Sequence, residues 1–199
     1  MLQKVYYNFI GNINNILKRT IKSGLDARLY HTLRQWLNGY SLLLIYGLGE
    51  VLRGDDALGI YIAESLKRKS LPKTLIHSGK TPEELFELVE ELSPSHLLII
   101  DAIHSNTLME GEILFLKEVS EISTSTFSTH TIPLSQILKL LTEIHPVKTA
   151  VIGVTASTSE IGTEISQKVK NSSNILLSTI VEVLESFRGR GRTAGEHPL

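Results

Sequence analysis

Residues 42–59 read LLLIYGLGEVLRGDDALG, and the order of apolar, glycine and acidic residues in this stretch decides the fold. The apolar run at 42–48 predicts a buried strand, and the glycines after it predict a tight turn. Two adjacent carboxylates, Asp55 and Asp56, then precede an amphipathic pattern that predicts a helix over residues 57–69. Open α/β sheets bind their ligands at such a junction, and the carboxylates favour a cation or a proton over a phosphate.

Strands and helices alternate along the chain that follows. Apolar runs predict strands at 74–77, 97–100, 112–116 and 149–154, and amphipathic patterns predict helices at 81–92, 133–144 and 175–187. Thr81 is predicted as the N-cap of its helix, with Pro82 at the first position and Glu84 closing a capping box. The alternation predicts one α/β domain, a three-layer sandwich with a mostly parallel sheet.

Charge and composition divide the chain into three parts. Residues 1–40 carry a net charge of +5 and apolar residues at helical spacing, which predicts a basic, amphipathic helical extension. Residues 41–187 carry −8 and form the predicted α/β domain, and residues 188–199 lack an apolar pattern and are predicted to be disordered. The extension favours packing on its own acidic domain or on a protein partner over contact with nucleic acid or anionic lipid.

Composition excludes several classes of site. The 199 residues include no cysteine, so disulfides, thiolate metal sites and a cysteine nucleophile are excluded. No apolar run approaches the roughly 18 to 20 residues that cross a bilayer, and asparagines interrupt the N-terminal apolar residues where a signal peptide would need a continuous core. The sequence therefore predicts a cytoplasmic protein without a membrane span.

Three candidate functional residues follow predicted strands or precede predicted helices. Asp56 follows the first strand, Asp101 ends the strand at 97–100, and His130 ends a Ser/Thr-rich loop at 120–131. Right-handed crossovers place the carboxyl ends of parallel strands at one edge, so the two carboxylates are expected there with His130 folded over them. Together the three side chains suit a borderline divalent ion such as nickel or zinc.

Each of these residues also has a structural interpretation when taken alone. Asp55 or Asp56 can cap a helix, Asp101 can be a turn residue, and a histidine in a polar loop is more often incidental than functional. His104, three residues after Asp101, is a second histidine of that incidental kind.

A dinucleotide site is a weaker interpretation of the glycines. The third glycine of G-x-G-x-x-G would fall on Leu52, and two carboxylates at the helix start would repel a pyrophosphate. Neither G-x-S-x-G nor H-E-x-x-H occurs, so the common serine-hydrolase and zincin signatures are absent from the sequence.

Four segments, in order, resemble the [NiFe]-hydrogenase maturation endopeptidases. Residues 47–59 follow the family spacing G-x-G-N-x-L-x-x-D-[DE]-G-x-G, and Leu98-Ile-Ile-Asp101 is similar to its apolar strand ending in Asp. Ser128-Thr-His130 before a leucine-rich helix, and Ile152-Gly-Val with the later segment 160–166, resemble the remaining two. The resemblance covers about residues 42–187.

The resemblance implies a function and a site. Family members are α/β proteases with a mostly parallel, twisted sheet of the phosphorylase/hydrolase-like kind. They remove the C-terminal extension of the hydrogenase large-subunit precursor after nickel insertion, by an aspartic-type-like hydrolysis. Their metal-contacting and catalytic residues would be Asp56, Asp101 and His130, with Asp55 orienting the loop or assisting as a base. Nickel would be carried by the substrate precursor, with no organic cofactor, and the enzyme is expected to be a monomer.

Two departures and one alternative accompany the resemblance. Glu50 stands where the family has Asn, which predicts a third carboxylate near the site, and Ala57 stands where it has Gly. The same three metal-contacting residues would also suit a non-catalytic, nickel-sensing chaperone or binding module of hydrogenase assembly.

Overall fold

The computed structural model of the protein describes residues 27–105, 107–117 and 133–188. Five strands form one sheet in the order β2-β1-β3-β5-β4. The strands are β1 (Leu43–Leu48), β2 (Thr74–Gly79), β3 (His96–Ile103), β4 (Ile113–Leu116) and β5 (Lys148–Thr155). All neighbouring pairs are parallel except β4 with β5, so the predicted α/β class and mostly parallel sheet are confirmed.

Five helices lie in the described part of the chain. They are α1 (27–36), α2 (Leu58–Lys67), α3 (Leu85–Leu92), α4 (Leu134–Ile144) and α5 (Gln167–Glu185). A 3-10 turn, Gly54–Ala57, leads into α2, and a second, Pro82–Glu84, leads into α3. None of these helices combines the length and apolar composition that a membrane span requires.

The two faces of the sheet pack against different helices, which gives the predicted three layers. Leu43 and Ile45 belong to one core cluster with apolar residues of α1, α2 and α5. Leu44 and Tyr46 point to the other face and pack with residues of α3 and α4. Because both faces of β1 and β3 are covered, every residue of these strands is buried, and their sequences are continuous apolar runs rather than alternating patterns.

Helix α1 is part of the first core. Leu33 and Leu37 are fully buried, and Leu29, Trp36 and Tyr40 belong to the same cluster as the buried residues of α2 and α5. The described part of the predicted extension therefore packs as a layer of the α/β domain. Residues 1–26, the predicted loop at 120–131 and the predicted tail from residue 189 lie outside the described residues.

Three local predictions were wrong. Strand β3 continues past Asp101 to Ile103, because β5 extends to Thr155 and keeps pairing with it. Helix α5 begins eight residues before the predicted position 175, where Ser166 caps it by accepting a hydrogen bond from the Val169 amide at 3.4 Å. Its first two turns carry few apolar residues, so amphipathic spacing does not reveal them.

The capping box predicted at Thr81 is also absent. Thr81 stands at the N-cap position, but its side chain makes no capping hydrogen bond. Instead, the Glu84 carboxylate accepts a hydrogen bond from the Tyr46 hydroxyl at 2.9 Å, and the same hydroxyl lies 2.9 Å from the Thr81 carbonyl oxygen. This buried tyrosine fastens the start of α3 to strand β1.

Candidate functional site

The candidate site lies where the strand order reverses direction. The chain passes from β1 outward to β2 through α2, and then returns through α3 to β3 on the other side of β1. The connections on the two sides of β1 lead to opposite faces, so a crevice is expected at the carboxyl ends of β1 and β3. The last β1–β3 pair joins Gly47 and Ile100, and Asp101 is the next residue along β3.

Two glycines bring helix α2 close to that crevice. A Cβ on Gly47 would overlap the backbone carbonyl of Gly59, and a Cβ on Gly59 would overlap carbonyl oxygens of β1 and β3. Helix and sheet therefore approach more closely than any side chain would permit. The 3-10 turn that precedes α2, with Asp55 and Asp56, is held directly over the strand ends as a result.

Asp55 is a structural anchor. Its carboxylate is fully buried and accepts hydrogen bonds from the amides of Ser157 (2.9 Å), Thr158 (3.3 Å) and Ser166 (2.6 Å), and from the Ser157 hydroxyl (3.2 Å). Its own amide donates to the Thr158 carbonyl at 3.0 Å. With both oxygens occupied, this side chain orients the loop at 156–166, the first of the two roles that the resemblance implied for it.

Asp56 and Asp101 form a buried acidic pair. Asp56 is 4% exposed and Asp101 is 8% exposed. Burial, and then the negative charge of Asp56, hold the pKa of the Asp101 carboxyl well above its ordinary value, although a hydrogen bond from the Ala102 amide opposes the shift. The Oδ1 atom of Asp101 is buried and has no hydrogen-bond partner within the described ranges.

An unpaired buried carboxylate oxygen beside a second carboxylate needs positive charge. Two buried carboxylates that repel each other are stabilised when one of them is protonated or when a cation binds to them. Oxygen donors of this kind, joined by an imidazole, suit a divalent transition metal. The arrangement can therefore hold a metal ion that arrives from outside or retain a proton in its absence.

The third predicted site residue cannot be placed. His130 lies outside the described residues, so its position relative to Asp56 and Asp101 stays a prediction. Within the described ranges, no group of three His, Asp or Glu side chains is arranged to hold a metal. His104 is therefore not arranged with Asp56 and Asp101 as a third metal ligand. Its Nε2 atom is buried and has no hydrogen-bond partner in the described part of the chain.

The two departures from the family motif have separate structural outcomes. Glu50 forms an ion pair with Lys80 at 2.8 Å, and this contact lowers the pKa of the Glu50 carboxyl. Lys80 thereby balances the charge of Glu50. The carboxylate whose charge raises the pKa of Asp101 is Asp56, not Glu50. Ala57 has helical backbone angles, φ −71° and ψ −8°, so glycine is not required at this position.

The structure also identifies residues that the sequence did not single out. Glu110 pairs with Lys168 at 2.9 Å, and hydrogen bonds from Ser157 and Ser166 further lower the pKa of its carboxyl. Ser166 was part of the quoted segment 160–166, but nothing in the linear spacing pairs it with Asp55. That contact joins residues 111 positions apart and depends on the tertiary fold.

The glycines of residues 47–49 do not form a phosphate cradle. Gly47 is used for contact between β1 and α2, and Leu52, at the place of the third glycine, is 66% exposed. The helix that follows begins with a buried acidic turn instead of free amides facing a ligand. The geometry therefore agrees with a cation-facing edge.

Comparison with known proteins places the chain in a family. The HycI hydrogenase maturation protease family model matches residues 60–183, more than half of the chain. A Methanocaldococcus jannaschii protein named as a hydrogenase maturation protease is 35% identical over 160 residues, covering 73% of this chain and 90% of that protein. The Escherichia coli hydrogenase 2 maturation protease is 32% identical over 119 residues, covering 56% of this chain and 71% of its own.

Solved structures agree with the sequence comparisons. The crystal structure of the [NiFe] hydrogenase maturation protease HycI from Thermococcus kodakarensis superposes with a TM-score of 0.68 and 28% identity, covering 77% of this chain and 99% of that one. The E. coli maturating endopeptidase HybD gives a TM-score of 0.58 and 26% identity, covering 75% and 94%. The family match begins after Asp55 and Asp56, so it does not depend on the acidic motif. On these grounds the chain belongs to the hydrogenase maturation protease family.

Proposed function

We propose that this protein is an endopeptidase that removes the C-terminal extension of a [NiFe]-hydrogenase large-subunit precursor after nickel has been inserted. Membership of the family supports peptidase activity in hydrogenase maturation. The observation that carries the finer proposal is the buried, unpaired Oδ1 atom of Asp101 beside the Asp56 carboxylate. This pair lacks a positively charged partner among the described residues, and the nickel of the precursor would supply one.

In this proposal nickel is part of the substrate. Asp56, Asp101 and His130 engage the metal that the precursor carries, and the remaining metal positions stay with the precursor's own ligands. The contact selects precursors that already hold nickel and fixes the C-terminal peptide bond beside the acidic pair. Asp56, Asp101 and His130 thereby hold the nickel where it would polarise the nearby peptide bond or its attacking water.

The experiment incubates nickel-loaded precursor with the wild-type protein and with the Asp101→Asn and His130→Ala variants. The intact mass of the precursor then reports whether its C-terminal extension is lost. We expect complete processing by the wild type and at least a hundredfold slower processing by either variant. His31→Ala is the matched control, because His31 is exposed on α1, away from the crevice, and it should process normally.

The result separates the proposal from its alternatives. Equal processing by wild type and His130→Ala would remove His130 from the site, and loss of activity in His104→Ala alone would transfer the role to that histidine. A precursor that binds in a nickel-dependent manner but keeps its full mass would identify a nickel-sensing chaperone instead of a protease.

A further inference from the structure

Large apolar side chains are exposed on two loops beside the acidic pair. Val51 and Leu52, which follow β1, are 58% and 66% exposed, and Ile161, which follows β5, is 80% exposed. Together we name these three residues the apolar rim. They lie at the carboxyl edge of the sheet, the same edge as Asp56 and Asp101.

The two loops are tied to each other. The amide of Gly162, next to Ile161, donates to the Leu52 carbonyl at 2.8 Å. Arg53 donates from Nε to the Ser159 carbonyl at 3.2 Å, and the Asp55 carboxylate holds three amides of the second loop. These hydrogen bonds order the backbone that carries the rim, so the binding of a partner there loses little free energy to the ordering of these loops.

The rim is uncharged although charged residues adjoin it. Glu50 is balanced by Lys80, and the Arg53 guanidinium is directed to a backbone carbonyl. The carboxylates of Asp56 and Asp101 are buried. A ligand that fits both features presents a cation to the acidic pair and uncharged, apolar groups to the rim. A free metal ion satisfies only the first requirement, whereas a polypeptide that carries a metal can satisfy both.

We propose that the apolar rim binds an apolar stretch of the precursor polypeptide next to its metal site. This inference rests on the proposed function, because it places the metal-carrying precursor at the acidic pair. A metal contact alone cannot distinguish one nickel protein from another, whereas apolar contacts on both sides of the crevice select the polypeptide. Clusters of exposed apolar side chains with a polar surround are typical of protein-binding surfaces.

The test measures binding apart from cleavage. Nickel-loaded large-subunit precursors from the same genome are titrated against the immobilised protein, as wild type and as the double variant Leu52→Ser/Ile161→Ser. We expect the double variant to bind about tenfold more weakly and to show a raised KM with an unchanged kcat. Both residues are exposed, and the Leu52 carbonyl that accepts from Gly162 is kept, so circular dichroism should show an unchanged fold.

A matched control uses Ile144→Ser. Ile144 is 56% exposed at the end of α4, beside the amino edge of the sheet where β5 begins, and it should leave the Kd unchanged. An unchanged Kd in the double variant, or no binding by the wild type, would overturn the inference. If the rim instead holds two copies of this chain together, the wild type would be a dimer and the double variant a monomer, with precursor binding unaltered. That result would also overturn the inference.

The experiment distinguishes a failure of the proposed rim from a failure of the proposed protease function. Wild type that cleaves the precursor while the double variant binds equally well would reject the rim and keep the protease. Wild type that binds through the rim without cleaving would keep the rim and reject the protease.

Discussion

Two consecutive aspartates have opposite surroundings in this protein. Asp55 accepts four hydrogen bonds from the loop at 156–166, whereas Asp56 lies beside Asp101, whose Oδ1 atom has no partner within the described ranges. Position along the 3-10 turn decides the difference, because neighbouring residues of such a turn point in different directions. Asp55 therefore contributes to the stability of the fold, whereas Asp56 belongs to an acidic pair that lowers that stability.

Replacing Asp55 by alanine should destabilise the protein strongly. The substitution removes a buried carboxylate that accepts part-buried hydrogen bonds from three loop amides, and a hydrogen bond to a charged group contributes about 1.5 to 3 kcal/mol. We expect the free energy of unfolding in urea to fall by about 3 kcal/mol or more. Processing should fall with it, because the second rim loop loses its anchor.

The neighbouring substitution Asp56→Asn is the matched control for that measurement. Asp56 is the next residue and is also buried, but its replacement by asparagine reduces the electrostatic repulsion on Asp101, so stability should be unchanged or higher. A destabilisation equal to that of Asp55→Ala would contradict the division of roles between the two aspartates.

Replacing Asp101 by asparagine should make the protein more stable at neutral pH. The pKa of Asp101 in the folded state is raised above its ordinary value of 3.8. A carboxyl with a raised folded pKa contributes stability that is fully present below the unfolded pKa and is lost as pH rises through the folded pKa. We therefore expect the variant to be more stable than the wild type at pH 7, where the wild-type carboxyl has lost this contribution.

Chemical denaturation of wild type and Asp101→Asn across pH measures this effect. The advantage of the variant should be small near pH 4 and should grow as pH rises, while precursor processing is abolished. Curves that stay parallel over the whole range would show that Asp101 is not held protonated by burial and by Asp56.

At the scale of elements, apolar periodicity predicted each described strand and helix but not all of their ends. The buried runs of β1 and β3 are continuous because helices cover both faces of the sheet, and such runs are visible in sequence. The last residues of β3 depend on a tertiary partner, because β5 extends far enough to pair with them, and local propensity does not contain that partner. The start of α5 is set by the local cap Ser166, which amphipathic spacing does not register.

The junction of β1 and α2 is the element contact most sensitive to volume. Gly59→Ala would place a methyl group against backbone carbonyls of β1 and β3, which cannot move aside as a side chain can. Overpacking of this kind typically costs about 1 to 3 kcal/mol, and we expect the upper end of that range. Because the displacement also shifts the turn that carries Asp56, thermal denaturation and processing should both report it.

Ala57→Gly, two residues earlier, is the contrasting variant. Ala57 has helical angles, so glycine should cost only about 0.5 to 1 kcal/mol through backbone entropy, with processing retained. A larger loss of activity in Ala57→Gly than in Gly59→Ala would show that the departure from the family motif at position 57 matters for function.

For the molecule as a whole, strand logic predicted that Asp56 and Asp101 lie at one edge of the sheet, whereas their assignment as site residues stays a prediction. Asp56 and Asp101 could be proposed because the carboxyl ends of parallel strands share an edge. The hydrogen bonds of Asp55 with residues 157, 158 and 166 could not be predicted, since they join two loops that are distant in sequence and meet only in the folded protein. The ion pair of Glu50 with Lys80 was missed for the same reason, because the two residues meet only when β2 lies beside β1.

Strand β3 carries a titratable group near each end, and the two should act on stability in opposite directions. His96, at the amino end, lies against α1: its Nε2 atom is 3.2 Å from the Trp36 carbonyl oxygen, which can only accept, so the neutral ring is protonated there. Burial, and then the charge of Lys148, lower the pKa of His96 from 6.5, although the Trp36 carbonyl opposes the shift.

The folded protein therefore resists protonation of His96 while the unfolded chain accepts it. The unfolded state binds more protons between the two pKa values, so stability falls as pH drops below about 6.5 and the loss is complete below the folded pKa. Asp101 acts at the other side, where stability falls as pH rises. We expect His96→Gln, which keeps a donor for Trp36, to flatten the decline in stability between pH 7 and pH 5. Asp101→Asn should flatten only the decline toward higher pH. Urea denaturation across pH measures both, and exposed His31→Gln should leave the profile unchanged; a profile that His96→Gln does not alter would remove the buried histidine as the cause of the acid-side loss.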